Sequence, residues 1–140
     1  MKRILFLILI LVGVCNDVHA QKELAIQAAF DEYAIGKNAT EVVMGPGRLK
    51  KYNLSLFHSL EIKMPSAAAL QRIEALVQSD AAQAIVHKEH GGHKLYELPK
   101  RKGMHCYIFF RQTNQTLILI YIEGKASLKQ IELHFLRKQN

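Results

Sequence analysis

The sequence has too few cysteines to build a disulfide framework. Its 140 residues contain two, Cys15 and Cys106, whereas small disulfide-stabilised scaffolds are dense in cysteine. Cys15 lies in an amino-terminal segment that we expect to be removed, so Cys106 would be the single thiol of the processed protein. The fold must therefore rest on a hydrophobic core, which a chain of about 120 residues can form as one domain.

Several motifs of catalysis are also missing. The chain has no Gly-x-Ser-x-Gly nucleophile elbow, no His-Glu-x-x-His zinc motif and no glycine-rich phosphate loop. Cys106 and its neighbour His105 would point to opposite faces of a strand, so they do not pair as nucleophile and base. These absences favour a non-enzymatic protein, and we predict no cofactor.

The amino terminus has the three parts of a secretory signal peptide. Lys2 and Arg3 precede an apolar run over residues 4–14, and the small residue Ala20 suits a cleavage site. The run is shorter than the roughly 20 apolar residues that a membrane span needs. We therefore predict a signal peptide over residues 1–20, cleavage before Gln21, and a periplasmic or secreted product with no transmembrane span.

Two alternatives to this processing are a retained membrane anchor and a lipid-modified Cys15. The short apolar run disfavours an anchor. Lipoprotein signals have a small residue immediately before the cysteine, and Val14 occupies that position here. Soluble export is therefore the favoured interpretation.

Residues 21–140 have the pattern of a single α+β domain. Alternating apolar residues over 53–64 predict a strand with one buried face. Gly91-Gly92 predicts a two-residue hairpin turn, and residues 104–123 predict a second hairpin near the sheet centre. Apolar periodicity and capping residues predict helices over 23–35, after Ser66 and after Ser127.

Consecutive hairpins indicate an antiparallel sheet, which helices must cover to bury its apolar face. The predicted fold is a two-layer α+β sandwich. It has an antiparallel sheet of about five or six strands, with about three helices on one face.

The predicted hairpin carries a group of histidines that resembles a metal site, because imidazole is a common metal ligand. A turn at residues 91–92 places His90 opposite His93 on one face of the hairpin and His87 on the other face. The three imidazoles therefore cannot converge on one ion. A weak metal site at His90 and His93, or a small enzyme using all three, is the alternative function, and an exposed hairpin tip is the simpler interpretation.

Basic residues are the second candidate site. Removing residues 1–20 reduces 19 basic and 12 acidic residues to 17 and 11, a net charge of about +6. Two predicted loops carry much of this charge, and such loops either bind an anionic partner or simply face water. The candidate binding residues are Arg48, Lys50, Lys51, Lys100, Arg101 and Lys102.

Nucleic acid is a poor candidate partner, because the domain is predicted to be exported and has few aromatic residues among its basic residues. The leading hypothesis is therefore a non-enzymatic module that binds an envelope protein or a polyanion.

The layout also resembles small exported proteins of Bacteroidetes that belong to families of unknown function. The resemblance implies a cell-envelope setting in a Gram-negative bacterium, and it carries no activity or catalytic residue. Besides the signal peptide, the residues that carry it are Phe30-Asp31-Glu32-Tyr33, Ala39-Thr40-Glu41-Val42-Val43, Leu54-Ser55-Leu56-Phe57, Tyr121-Ile122-Glu123-Gly124-Lys125 and Ser127-Leu128.

Overall fold

The computed structural model describes residues 20–136, and a six-stranded antiparallel sheet is their central element. Across the sheet the strand order is β1-β2-β6-β5-β4-β3, so the last of the six described strands lies between β2 and β5. The α+β class and the antiparallel sheet are confirmed. The strands are β1 (Ala39–Met44), β2 (Leu54–Lys63), β3 (Val86–His90), β4 (His93–Arg101), β5 (Met104–Gln112) and β6 (Thr116–Gly124).

Within residues 20–136, four α-helices, two 3₁₀ turns and one π-helical turn accompany the sheet. The first predicted helix is shorter than expected, because a 3₁₀ turn over Ala20–Glu23 precedes it. No helix within residues 20–136 is long and apolar enough to cross a bilayer. The predicted signal peptide lies outside the described residues except for Ala20. The helices are α1 (Gln27–Tyr33), α2 (Pro46–Leu49), α3 (Ala67–Ala81) and α4 (Leu128–Ile131), with a 3₁₀ turn over Lys50–Tyr52 and a π-helical turn over Glu132–Leu136.

Both predicted serine caps are present. The Ser66 hydroxyl accepts a hydrogen bond from the Ala69 N–H at 3.1 Å, at the start of α3. Ser127 and Gln130 form a reciprocal capping box at the start of α4. Each cap satisfies backbone donors that a helix leaves unpaired in its first turn.

Helices α1 and α3 cover one face of the sheet. Their apolar side chains pack on alternate residues of β2, β5 and β6. Of the alternating set predicted in β2, Leu56, Leu60 and Ile62 are buried in this layer. Leu54 instead packs on the opposite face, after the register shift between Leu54 and Leu56, and Met64 is exposed. Burying this face removes apolar area from water, which is the main stabilising contribution to folding. The fully buried centre of this layer includes Ile73, Val77, Leu60, Ile108 and Leu119.

The opposite face of the sheet is also covered, which differs from the predicted placement of all helices on one face. Leu49 of α2 and Ile131 of α4 pack there against Tyr107, Ile120 and Ile122. Strands β5 and β6 carry apolar residues on both faces, so each face needs its own cover. Periodicity identified α4 as amphipathic but did not indicate which face it would contact.

The carboxylate of Asp80, on α3, is hydrogen-bonded to the backbone of the segment just before α1. The two Asp80 oxygens accept hydrogen bonds from the Ala25 and Ile26 N–H groups, each at 2.8 Å. Asp80 is buried, and Ile26 is fully enclosed. Helix α1 has no side-chain cap of its own, so Asp80 supplies acceptors near its start from another helix.

Candidate binding site

Three connecting segments meet at one end of the sheet. Leu54, the first residue of β2, lies opposite Gly124, the last residue of β6. His105, near the start of β5, also lies opposite Gly124. The loop before β2, the β4–β5 turn and the chain after β6 therefore share this end, which brings together the two predicted basic segments.

The second basic segment, predicted as a loop, is mostly strand. Strand β4 continues through Lys100 to Arg101, with an irregular register after Leu98. The turn itself is Lys102 and Gly103, both with positive φ. Lys100 and Arg101 thus lie in strand β4, and Lys102 lies in the two-residue turn to β5, so this segment is not a long loop.

A cleft of about 440 Å³ opens at this end of the sheet, between the start of β2 and the adjoining segments. Its surface is mainly apolar, with two lysines and short polar side chains among the lining residues. Those lining residues are Pro46, Gly47, Lys50, Asn53, Leu54, Ser55, Met104, Gly124 and Lys125.

Asn53 connects the two sides of the cleft. Its N–H donates to the Lys50 carbonyl at 3.0 Å, and its own carbonyl accepts from Lys125 and Ala126 at 3.1 and 3.0 Å. Asn53 has the left-handed conformation, with φ 59° and ψ 39°, which asparagine tolerates better than most residues. The backbones of Lys50 and Lys125 are therefore held by the same residue.

The strands at the base of the cleft approach unusually closely. A β-bulge at Ser55 shifts the register between Leu54 and Leu56. The Ser55 hydroxyl donates to the Glu123 carbonyl at 3.1 Å, and its oxygen lies 3.3 Å from the Met104 sulfur. A Cβ on Gly124 would lie 2.6 Å from the Leu54 Cα, so this approach requires glycine.

Positive charge is concentrated at the end of the sheet where the cleft opens. All six predicted binding residues lie at this end of the sheet, although Lys50 alone of them lines the cleft. The Arg101 guanidinium donates to the Glu23 carboxylate, and the Lys51 ammonium lies 5.0 Å from the Tyr52 ring centre. Within residues 20–136, exposed cations at this end that form no ion pair are Arg48, Lys50, Lys51, Lys100 and Lys125.

The histidine hairpin has the predicted register. His90 pairs with His93 across the turn, and His87 pairs with Tyr96, on whose ring it stacks at 4.5 Å. Burial, with the nearby Arg111 and His90 charges, lowers the pKa of His93 and favours its neutral form. Among residues 20–136, no group of three or more potential ligands could hold a metal ion.

A zinc titration separates the two interpretations of this hairpin. A pair of imidazoles supplies half of the four ligands that Zn²⁺ usually takes. We expect calorimetry with Zn²⁺ to detect no binding tighter than about 100 μM. Tighter binding that disappears in a His90→Ala, His93→Ala variant and persists in a His134→Ala control would establish a metal site there.

The amino-acid sequence of this chain matches a family described as a family of unknown function, DUF6108, over residues 14–135. The chain belongs to that family. A search of curated proteins found no match.

His58 of this DUF6108 member is a buried polar side chain in the middle of β2. It is packed against Phe30, with ring centres 3.7 Å apart. Its two nitrogens lie 2.7 Å from the Gln21 amide and 2.7 Å from the Glu41 carboxylate. Periodicity could place His58 on the inner face, but Gln21 lies 37 residues away in sequence, and no local pattern pairs them.

Cys106 lies in the core as a small buried side chain. Burial raises the pKa of its thiol, which keeps the sulfur protonated and weakly nucleophilic. Burial also raises the pKa of the neighbouring Tyr121, whose hydroxyl donates to Glu123 at 2.9 Å. Cys106, Tyr121 and Glu123 therefore form a buried polar contact that contributes to packing in the core.

Proposed function

We propose that this chain is an exported cell-envelope domain that binds an anionic partner, a polyanion or an acidic protein surface, at the basic end of its sheet. The observation that carries the proposal is a group of exposed cations at the end of the sheet where the cleft opens, which have no ion-pair partner within residues 20–136. Grouped cations attract anions and raise association rates.

The amino-terminal sequence supports the export part of this proposal. Lys2 and Arg3, the apolar run and Ala20 match a secretory signal peptide. The resemblance to small exported Bacteroidetes proteins supports a Gram-negative envelope. Mass spectrometry of the protein made in such a host should find Gln21 as the first residue, and an intact amino terminus or an acylated Cys15 would contradict the proposal.

Heparin, a sulfated polyanion, is a suitable probe of the basic end. We expect it to bind the protein in low salt and to dissociate as salt rises, because bound polyanions release counterions. A variant with Arg48→Gln, Lys51→Gln and Lys100→Gln should bind about tenfold more weakly by calorimetry, from the loss of three exposed charges.

The matched control removes three charges from the opposite end of the sheet, through Lys37→Gln, Lys63→Gln and Lys94→Gln. We expect less than a twofold loss of heparin affinity in that variant. Equal losses in the two variants would mean that heparin responds only to net charge. Absence of heparin binding, or robust turnover in a hydrolase screen, would overturn the proposal.

A further inference from the structure

The cleft differs chemically from the charged surface around it. Pro46, Leu54, Met104 and Gly124 give it apolar walls, and Met104 supplies a flexible, polarizable side chain that adapts to an apolar occupant. Its volume of about 440 Å³ is in the range of small-molecule sites. A fully hydrated polyanion lying over these walls would bury little apolar area, so it would gain no hydrophobic stabilisation from them.

Two lysines approach the cleft from different segments of the chain. Lys50 belongs to the 3₁₀ turn after α2, and Lys125 follows β6. Both backbones are hydrogen-bonded to Asn53, so the spacing of their attachment points is set before any ligand arrives. Neither ammonium forms an ion pair within the described part of the chain, which leaves two cations for a negatively charged group.

These two properties together select a class of ligand. A neutral apolar ligand would partly remove two ammonium groups from water without supplying counter-charge, which is unfavourable. A small hydrophilic anion would satisfy the lysines but leave the apolar walls uncovered. A molecule with a negative head and a short alkyl chain satisfies both.

We infer that the cleft binds a medium-chain amphipathic anion, with its alkyl chain along Leu54 and Met104 and its head group between Lys50 and Lys125. This inference rests on the proposed function, because it uses the same basic end of the sheet. It adds the class of ligand: an alkyl carboxylate or a similar monoanion, which the cations at this end of the sheet would attract and the cleft would then accommodate.

A series of alkyl carboxylates tests the apolar part of the inference. Calorimetric affinity should increase roughly threefold to fourfold for each methylene added from hexanoate to octanoate, because each buried methylene contributes a fixed apolar area. Octanol and octyltrimethylammonium should bind at least tenfold more weakly than octanoate. In an amide NMR spectrum, octanoate should shift the Gly47 and Gly124 signals.

Variants test the placement. Lys50→Gln with Lys125→Gln should weaken octanoate binding at least tenfold, and the Lys37→Gln, Lys63→Gln control should keep wild-type affinity. Gly47→Phe should also block octanoate: a Cβ at Gly47 meets no atom within 4 Å, so an aromatic ring can enter the cleft without displacing the backbone.

The inference is overturned if octanol binds as tightly as octanoate, or if octanoate shifts signals away from the cleft. If heparin binds as proposed and octanoate does not, the inference about the cleft is wrong and the polyanion proposal stands. If octanoate binds with the expected dependence on Lys50 and Lys125 and heparin does not bind, the polyanion proposal is wrong and the inference about the cleft stands.

Discussion

Replacing Asp80 by alanine is expected to lower the free energy of unfolding by about 3 kcal/mol. The carboxylate accepts from two backbone N–H groups at 2.8 Å, and hydrogen bonds to a charged acceptor are stronger than neutral ones. Without it, the enclosed Ile26 N–H has no acceptor in place, and the attachment of α1 to α3 is weakened. Urea denaturation followed by circular dichroism measures the loss.

Ser79→Ala is the matched control, because Ser79 is the exposed neighbour of Asp80 on the same helix. It should change the free energy of unfolding by less than about 0.5 kcal/mol. Asp80→Asn keeps the shape and one oxygen acceptor, so its stability should lie between wild type and Asp80→Ala. If all three variants match wild type, the buried carboxylate does not hold the segment before α1.

Gly124→Ala is expected to destabilise the protein by about 2–3 kcal/mol. The added Cβ would lie 2.6 Å from the Leu54 Cα and 2.9 Å from the Asn53 carbonyl oxygen. Both are backbone atoms, so no side-chain rotation relieves the overlap, and β2 must move away from β6. The same movement would disturb the Asn53 hydrogen bonds and thereby separate the two sides of the cleft.

Gly47→Ala provides the comparison on the same cleft. A Cβ there meets no atom within 4 Å, and Gly47 does not have a positive φ. Alanine should therefore leave the free energy of unfolding unchanged or raise it slightly, since it reduces the freedom of the unfolded chain. Equal urea midpoints for the two alanine variants would contradict the close contact at Gly124.

Local patterns predicted most elements of this fold because each depends on residues close in sequence. The alternation in β2 reports a strand with one face inward, and the Ser66 and Ser127 hydroxyls mark helix starts. Gly91-Gly92 fixed the hairpin register through the positive φ that its turn requires. These features need no knowledge of which strand lies beside which.

The candidate site depended on information that periodicity does not contain. The basic residues could be identified from composition, but their meeting at one end follows from the strand order, which local pattern did not predict. The cleft also needs the left-handed Asn53 and the close approach of Gly124 to Leu54. The contact of Asp80 with Ala25 spans 55 residues, so it too arises only from the tertiary fold.

The central position of β6 has a consequence for when the molecule can fold. Strand β6 (Thr116–Gly124) follows all the other strands of the sheet in sequence, and β2 and β5 are joined through β6 alone. Until that strand has been synthesised, the two halves of the sheet each have an exposed edge and the layers on both faces are incomplete. Contacts such as that between Leu60 and Leu119 close long loops, which slows folding. The native sheet therefore cannot be completed before β6 has been made.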